Sequence, residues 1–107
     1  MTQSIITLDD NSYQQNLKKD TTFVVRLWAP WCMPCRMMAP IFKEVAQKLS
    51  SDNLIFGEVD IDNFPLIANQ LGVRSIPTVV VFKNGQEVTR SAGMMMAPQL
   101  EELIFSA

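Results

Sequence analysis

Trp28-Ala29-Pro30-Trp31-Cys32-Met33-Pro34-Cys35-Arg36 is the stretch from which the rest of the chain can be read. It contains both cysteines of the sequence, with two residues between them. An apolar run, Phe23 to Trp28, leads into it, and a helical pattern, Met37 to Leu49, leads out. Residues i and i+3 share one face of a helix, so the spacing suits a small disulfide ring that closes and reopens. The first N–H groups of a helix have no internal partner, and the helix dipole places partial positive charge there. A thiolate at that end is stabilised, so its thiol ionises more readily. Cys32 stands at the helix tip and Cys35 one turn inside.

The flanks extend this reading. Phe23-Val24-Val25-Arg26-Leu27-Trp28 is apolar except at Arg26, the pattern of a strand covered on both faces. Met38, Phe42, Val45 and Leu49 recur at helical steps, which predicts a helix over 33–49. Pro34 fits its first turn, and Pro40, inside the pattern, predicts a kink. Upstream, Ile5-Ile6 reads as a short strand. Asp9-Asp10-Asn11-Ser12 offers N-caps to a helix over 12–18, with Tyr13 and Leu17 at i,i+4. Downstream, Leu54 to Asp60 is a strand, and Asn63-Phe64-Pro65 opens a short helix that ends at Leu71-Gly72. Thr78 to Phe82 strongly favours a strand. Lys83-Asn84-Gly85-Gln86 then carries the strongest short hairpin signal, returning the chain as an antiparallel strand over 87–92. Pro98 begins a closing helix with Leu100, Leu103 and Ile104 inward. The order β-α-β-α-β-α-β-β-α implies parallel βαβ units ended by an antiparallel hairpin: an α/β fold in one domain over residues 1–107.

Composition removes several function classes. Hydrophobic residues make up 48% of the 107, enough for an independent core. The net charge of −2 gives no basic footprint for nucleic acid. No apolar run approaches the roughly 20 residues that span a membrane. Met1-Thr2-Gln3-Ser4 shows no basic-then-apolar leader, which points to a reducing, cytoplasmic setting where a lone Cys-x-x-Cys is catalytic or metal-binding rather than structural. The chain has no histidine, so Cys–His catalysis and imidazole ligation are excluded. Two cysteines supply only half of a tetrahedral zinc site, so no metal is expected.

At these residues the sequence resembles the thioredoxin family, along nearly the whole chain. The resemblance implies a mixed five-stranded sheet flanked by four helices. It implies that Cys32 is the exposed nucleophile, which forms a mixed disulfide with a target protein, and that Cys35 then attacks Cys32 and releases the reduced target. It implies that Pro77, in Ser75-Ile76-Pro77-Thr78, is cis and lies against the dithiol, shaping a groove that can pair with an extended target segment. Trp31, Ile61, Ile76, Ala92, Gly93 and Met94 would complete an apolar rim, with Trp28 in the core. The implied partners are disulfide-containing target proteins and a flavin- and NADPH-dependent thioredoxin reductase. No bound cofactor is implied, since the thiols carry the electrons, and nothing requires more than a monomer.

Three places depart from the family or stand outside its pattern. Met33 replaces the usual glycine beside Pro34 within the ring, either as a tolerated surface change or as a tuning of the potential. Met94-Met95-Met96 is either the start of the last helix or a flexible apolar edge suited to many targets. Arg26 stands where the family usually has a buried aspartate, and Glu58 where it usually has lysine. Either Arg26 snorkels outward beside a solvated Glu58, or the two pair beneath the dithiol. In a pair, Glu58 is the candidate proton carrier and Arg26 favours the Cys35 thiolate. These departures leave room for a more oxidising, disulfide-forming or isomerising relative. A thioredoxin-like binding subunit without turnover is the reading from another class.

Overall fold

The computed structural model describes residues 4–107. Its elements are β1 (Ile5–Thr7), α1 (Asp10–Leu17), β2 (Thr22–Trp28), α2 (Met33–Leu49), β3 (Leu54–Asp60), α3 (Pro65–Leu71), β4 (Thr78–Lys83), β5 (Gln86–Ala92) and α4 (Ala97–Phe105). One five-stranded sheet runs in the order β1-β3-β2-β4-β5. β1, β3 and β2 are parallel, and β4 and β5 add antiparallel strands. The mixed five-stranded sheet flanked by four helices that the family resemblance implies is present.

Local signals explain most boundaries. α1 begins at Asp10, two residues earlier than the sequence reading, because Asp9 and Ser12 form a reciprocal box: the Ser12 N–H donates to Asp9 Oδ1 at 2.7 Å and the Asp9 N–H to Ser12 Oγ at 2.9 Å. α2 has the expected bounds and continues through Pro40. α3 closes on Gly72 at φ +66, a left-handed residue that glycine adopts without cost to a side chain. The β4–β5 turn places Asn84 at φ +54 and Gly85 at φ +81, the paired positive values that a two-residue hairpin turn requires.

The two-residue period of the strands sorts the core onto two faces. Val24, Phe56, Val79 and Val81 meet Met38, Phe42 and Val45 of α2 and Leu100 and Ile104 of α4. Phe23, Val25, Leu27, Val59 and Val80 meet Tyr13 of α1 and Ile67 of α3. Arg26 shares the period of Val24, so a charged side chain points under α2 into the first face. No helix among the described residues is long and apolar enough to cross a membrane.

Tyr13, the sole tyrosine, is 3% exposed and packs edge-on to Phe82 with centroids 6.1 Å apart. Burial, with the Glu87 carboxylate adding to it, pushes its phenol up to about 12. The folded state then keeps a proton that the unfolded chain loses near pH 10. This contribution is fully present below about pH 10 and is lost as pH rises toward 12, an effect of order 2 kcal/mol. Ultraviolet titration of native protein should give a midpoint near 12, and urea-unfolded protein one near 10; coincident midpoints would contradict the packing argument.

A dithiol at the tip of a long helix

The site forms where β2 ends and α2 begins, at the carboxyl ends of the parallel strands β2 and β3. Ala29-Pro30-Trp31 turns the chain: the Cys32 N–H donates to the Ala29 carbonyl at 3.2 Å, and the Ile61 N–H to the Trp28 carbonyl at 3.0 Å. Cys32 is the N-cap of α2, in extended conformation. Serine, threonine or aspartate usually fills such a position with oxygen; here sulfur fills it. Pro34 has no N–H to offer, and the Cys35 N–H donates to Cys32 Sγ at 3.3 Å. Sγ of Cys32 also lies 3.8 Å from the Ile76 carbonyl oxygen. The cysteines are joined as a disulfide, with Cα atoms 5.2 Å apart. Cys35 is fully enclosed and Cys32 is 6% exposed, so attack from outside has one sulfur available to it.

The residues expected around the dithiol fall into four groups. Trp28, Ile61 and Ile76 pack directly with Cys32, Cys35 and Ala29. Pro77 follows a cis peptide bond and is buried, and its carbonyl accepts the Gly93 N–H at 2.8 Å, which ties Gly93 and the adjoining Ala92 to the same corner. Met94 instead borders a shallow groove with Gln99 and Leu103 on the α4 side. Trp31 and Met33 stand out at the surface. Of the methionine triplet, Met95 is buried in the core and Met96 is the N-cap of α4, while Met94 and Met96 are exposed. The entry to the last helix therefore takes in Met96, while Met94 is an exposed side chain before it.

The structure adds Asp62, which the sequence reading did not single out. The Trp31 indole N–H donates to its carboxylate, with 3.0 Å to Oδ2, fixing the exposed ring beside Cys32. The available signal was an acid in the turn after a parallel strand, which does not by itself specify a partner.

Beneath the dithiol, Arg26 and Glu58 are register partners on β2 and β3. Arg26 Nε donates to Glu58 Oε2 at 2.8 Å, and Nη2 donates to the same oxygen. Nη1 donates to the Cys35 carbonyl at 2.8 Å. A cleft of about 360 Å³ behind α2 is walled by these three residues with Trp28, Arg36 and Lys43. A larger one, about 530 Å³ around Lys19, Ser50 and Phe56, lies at the opposite end of β3 and holds no cysteine. The smaller cleft is the one that reaches the chemistry.

A capped sulfur, an enclosed second sulfur within closing distance and an exposed apolar rim suit thiol–disulfide exchange. The comparisons agree. The family model described as Thioredoxin matches residues 4–106. Thioredoxin of Alicyclobacillus acidocaldarius subsp. acidocaldarius is 38% identical over 96 residues, 90% of each chain. Thioredoxin of Rickettsia bellii is 40% identical over 96 residues, 89% of this chain and 90% of that one. The crystal structure of Malassezia sympodialis thioredoxin superposes with a TM-score of 0.85 at 31% identity, covering 95% of this chain and 88% of the other. With that match along almost every residue, and a Cys32–Cys35 pair that closes as a disulfide, the chain belongs to the thioredoxin family and is a thiol–disulfide oxidoreductase that reduces protein disulfides.

Proposed function

We propose that Cys32 is the attacking thiol and Cys35 the thiol that completes the exchange. The Cys32 thiolate attacks one sulfur of a target disulfide; a Cys32–target bond forms and the other target sulfur leaves as thiolate. The Cys35 thiolate then attacks Cys32 Sγ, the Cys32–Cys35 bond forms and the second target sulfur leaves. The target gains two electrons and the dithiol loses two. The observation that carries this reading is the Cys35 N–H aimed at Cys32 Sγ, since it stabilises charge on the first sulfur and lets the second approach.

Trp31, Ile61, Ile76, Pro77, Ala92 and Gly93 form the surface that receives the target, and Met94 extends it toward α4. Its support is the exposed Trp31 ring, a rigid amphipathic contact of the kind enriched at interfaces. The Ile76 carbonyl beside Cys32 is a main-chain acceptor for an extended target segment. Met33, Pro34, Arg26 and Glu58 set the potential. A flavin- and NADPH-dependent thioredoxin reductase recharges the disulfide. The chain acts as a single domain and a monomer in the cytoplasm.

The test is reduction of insulin disulfides with NADPH and a thioredoxin reductase. Turnover that depends on this protein is expected. NADPH oxidation at the rate of reductase alone would refute the assignment.

A further inference from the structure

We infer that Arg26 activates Cys35 for the closing step by holding a fixed positive charge against it, so that this step proceeds without a buried base. The inference rests on Cys35 being the thiol that closes the disulfide. Arg26 is the largest fully buried side chain among the described residues, at 2% exposure. Burying an arginine in a strand is costly unless its donors are matched. Here they are. The edge carrying Nε and Nη2 is spent on Glu58 Oε2, and Nη1 on the Cys35 carbonyl. The group turned toward Cys35 is therefore the cation, and the carboxylate stands behind it. The rings of Trp28 and Phe42 lie 5.5 and 5.6 Å from Cζ and shield the guanidinium from water. The contact is to the main chain of Cys35, and the low-dielectric surroundings strengthen the field of the cation across the residue that carries the sulfur.

The other charged groups near Cys35 do not reverse this sign. Arg36 and Lys43 of its own helix line the cleft behind it, are exposed, and add weak positive charge. Glu58 of β3 is compensated by Arg26. Asp60 is turned to the Asp62 N–H and to Asn63, and Asp62 to Trp31. Arginine stays protonated at every working pH, so it can neither give nor take the Cys35 proton. That proton leaves to bulk solvent by way of the cleft that Cys35 lines. The Cys35 thiolate attacks the Cys32 sulfur of the mixed disulfide, the Sγ–Sγ bond forms, and the partner sulfur departs with the electron pair.

The experiment uses the reduced full chain and 5,5′-dithiobis(2-nitrobenzoate). Attack by Cys32 releases one coloured aryl thiolate, and closure by Cys35 releases the second, so stopped-flow absorbance separates the two steps. The rate of the second phase is followed against pH. In the parent its midpoint is expected below the free-cysteine value of about 8.5. Arg26→Met should raise it by about one pH unit or more, as loss of an adjacent opposite charge does. Arg26→Lys should fall between, keeping charge without the fork. Glu58→Gln should lower the midpoint, because the cation is then uncompensated. Should Arg26→Met not fold, Arg26→Met with Glu58→Met removes both charges together and should still raise the midpoint. A slower second phase or a raised midpoint in Glu58→Gln would overturn the inference in favour of Glu58 as base. So would an Arg26 variant, single or double, with an unmoved midpoint. A normal first phase with no second phase would refute the assignment of Cys35 and the inference with it.

Discussion

Cys32→Ser is expected to cut insulin-disulfide turnover by more than about a thousandfold, as removal of a nucleophile does in other covalent mechanisms. A serine hydroxyl still caps α2 and still accepts the Cys35 N–H, so the fold is retained. It is not ionised near neutral pH and does not form a bond to sulfur that can be exchanged back. Cys35→Ser should behave differently. The first step survives and the second cannot occur, so the protein stalls as a mixed disulfide with one equivalent of target. Non-reducing gels and mass spectrometry distinguish the two variants. Turnover surviving in Cys32→Ser would place the chemistry elsewhere, and would favour a role as a binding module.

Phe42→Ala should destabilise the fold by about 3–5 kcal/mol, the range for emptying a buried aromatic site. Phe42 is fully buried, meets Phe56 edge-to-face with centroids 5.7 Å apart, and holds the middle of α2 against the sheet. For a chain near 100 residues that loss lowers Tm by roughly 15–30 °C. It also removes one of the two rings beside the Arg26 guanidinium. The second phase of aryl thiolate release should therefore change as well as the melting point. A calorimetric Tm within a few degrees of the parent would show that α2 is held by other contacts.

Much of this was legible in the residues. The bounds of α2 and β3 follow from apolar period, the early proline and the dithiol position, and they agree with the structure. Asn84-Gly85 specified its turn because few residues accept two successive positive φ values. The start of α1 is less legible, because four consecutive residues, Asp9 to Ser12, are good caps. Only the reciprocal fit of Asp9 with Ser12 decides among them.

The site divides in the same way. Both sulfurs were fixed by local spacing and helix polarity. The Trp31–Asp62 contact and the bond from Arg26 to the Cys35 carbonyl were not, since they depend on how β3 and α2 sit against β2. Sequence could present Arg26 and Glu58 as a charge pair. Which of the two faces Cys35 is a matter of guanidinium geometry. The methionine triplet shows the limit of composition: three identical residues take a partly exposed, a buried and a capping position.

The central claim is that the sulfur at position 32 carries charge easily because it caps a helix. Its most direct test is the rate of alkylation of Cys32 by iodoacetamide in the reduced protein, followed against pH with peptide mapping. A single midpoint for Cys32 well below the free-cysteine value of about 8.5 is expected. A midpoint at or above that value, with a neutral-pH rate no greater than that of free cysteine, would contradict it.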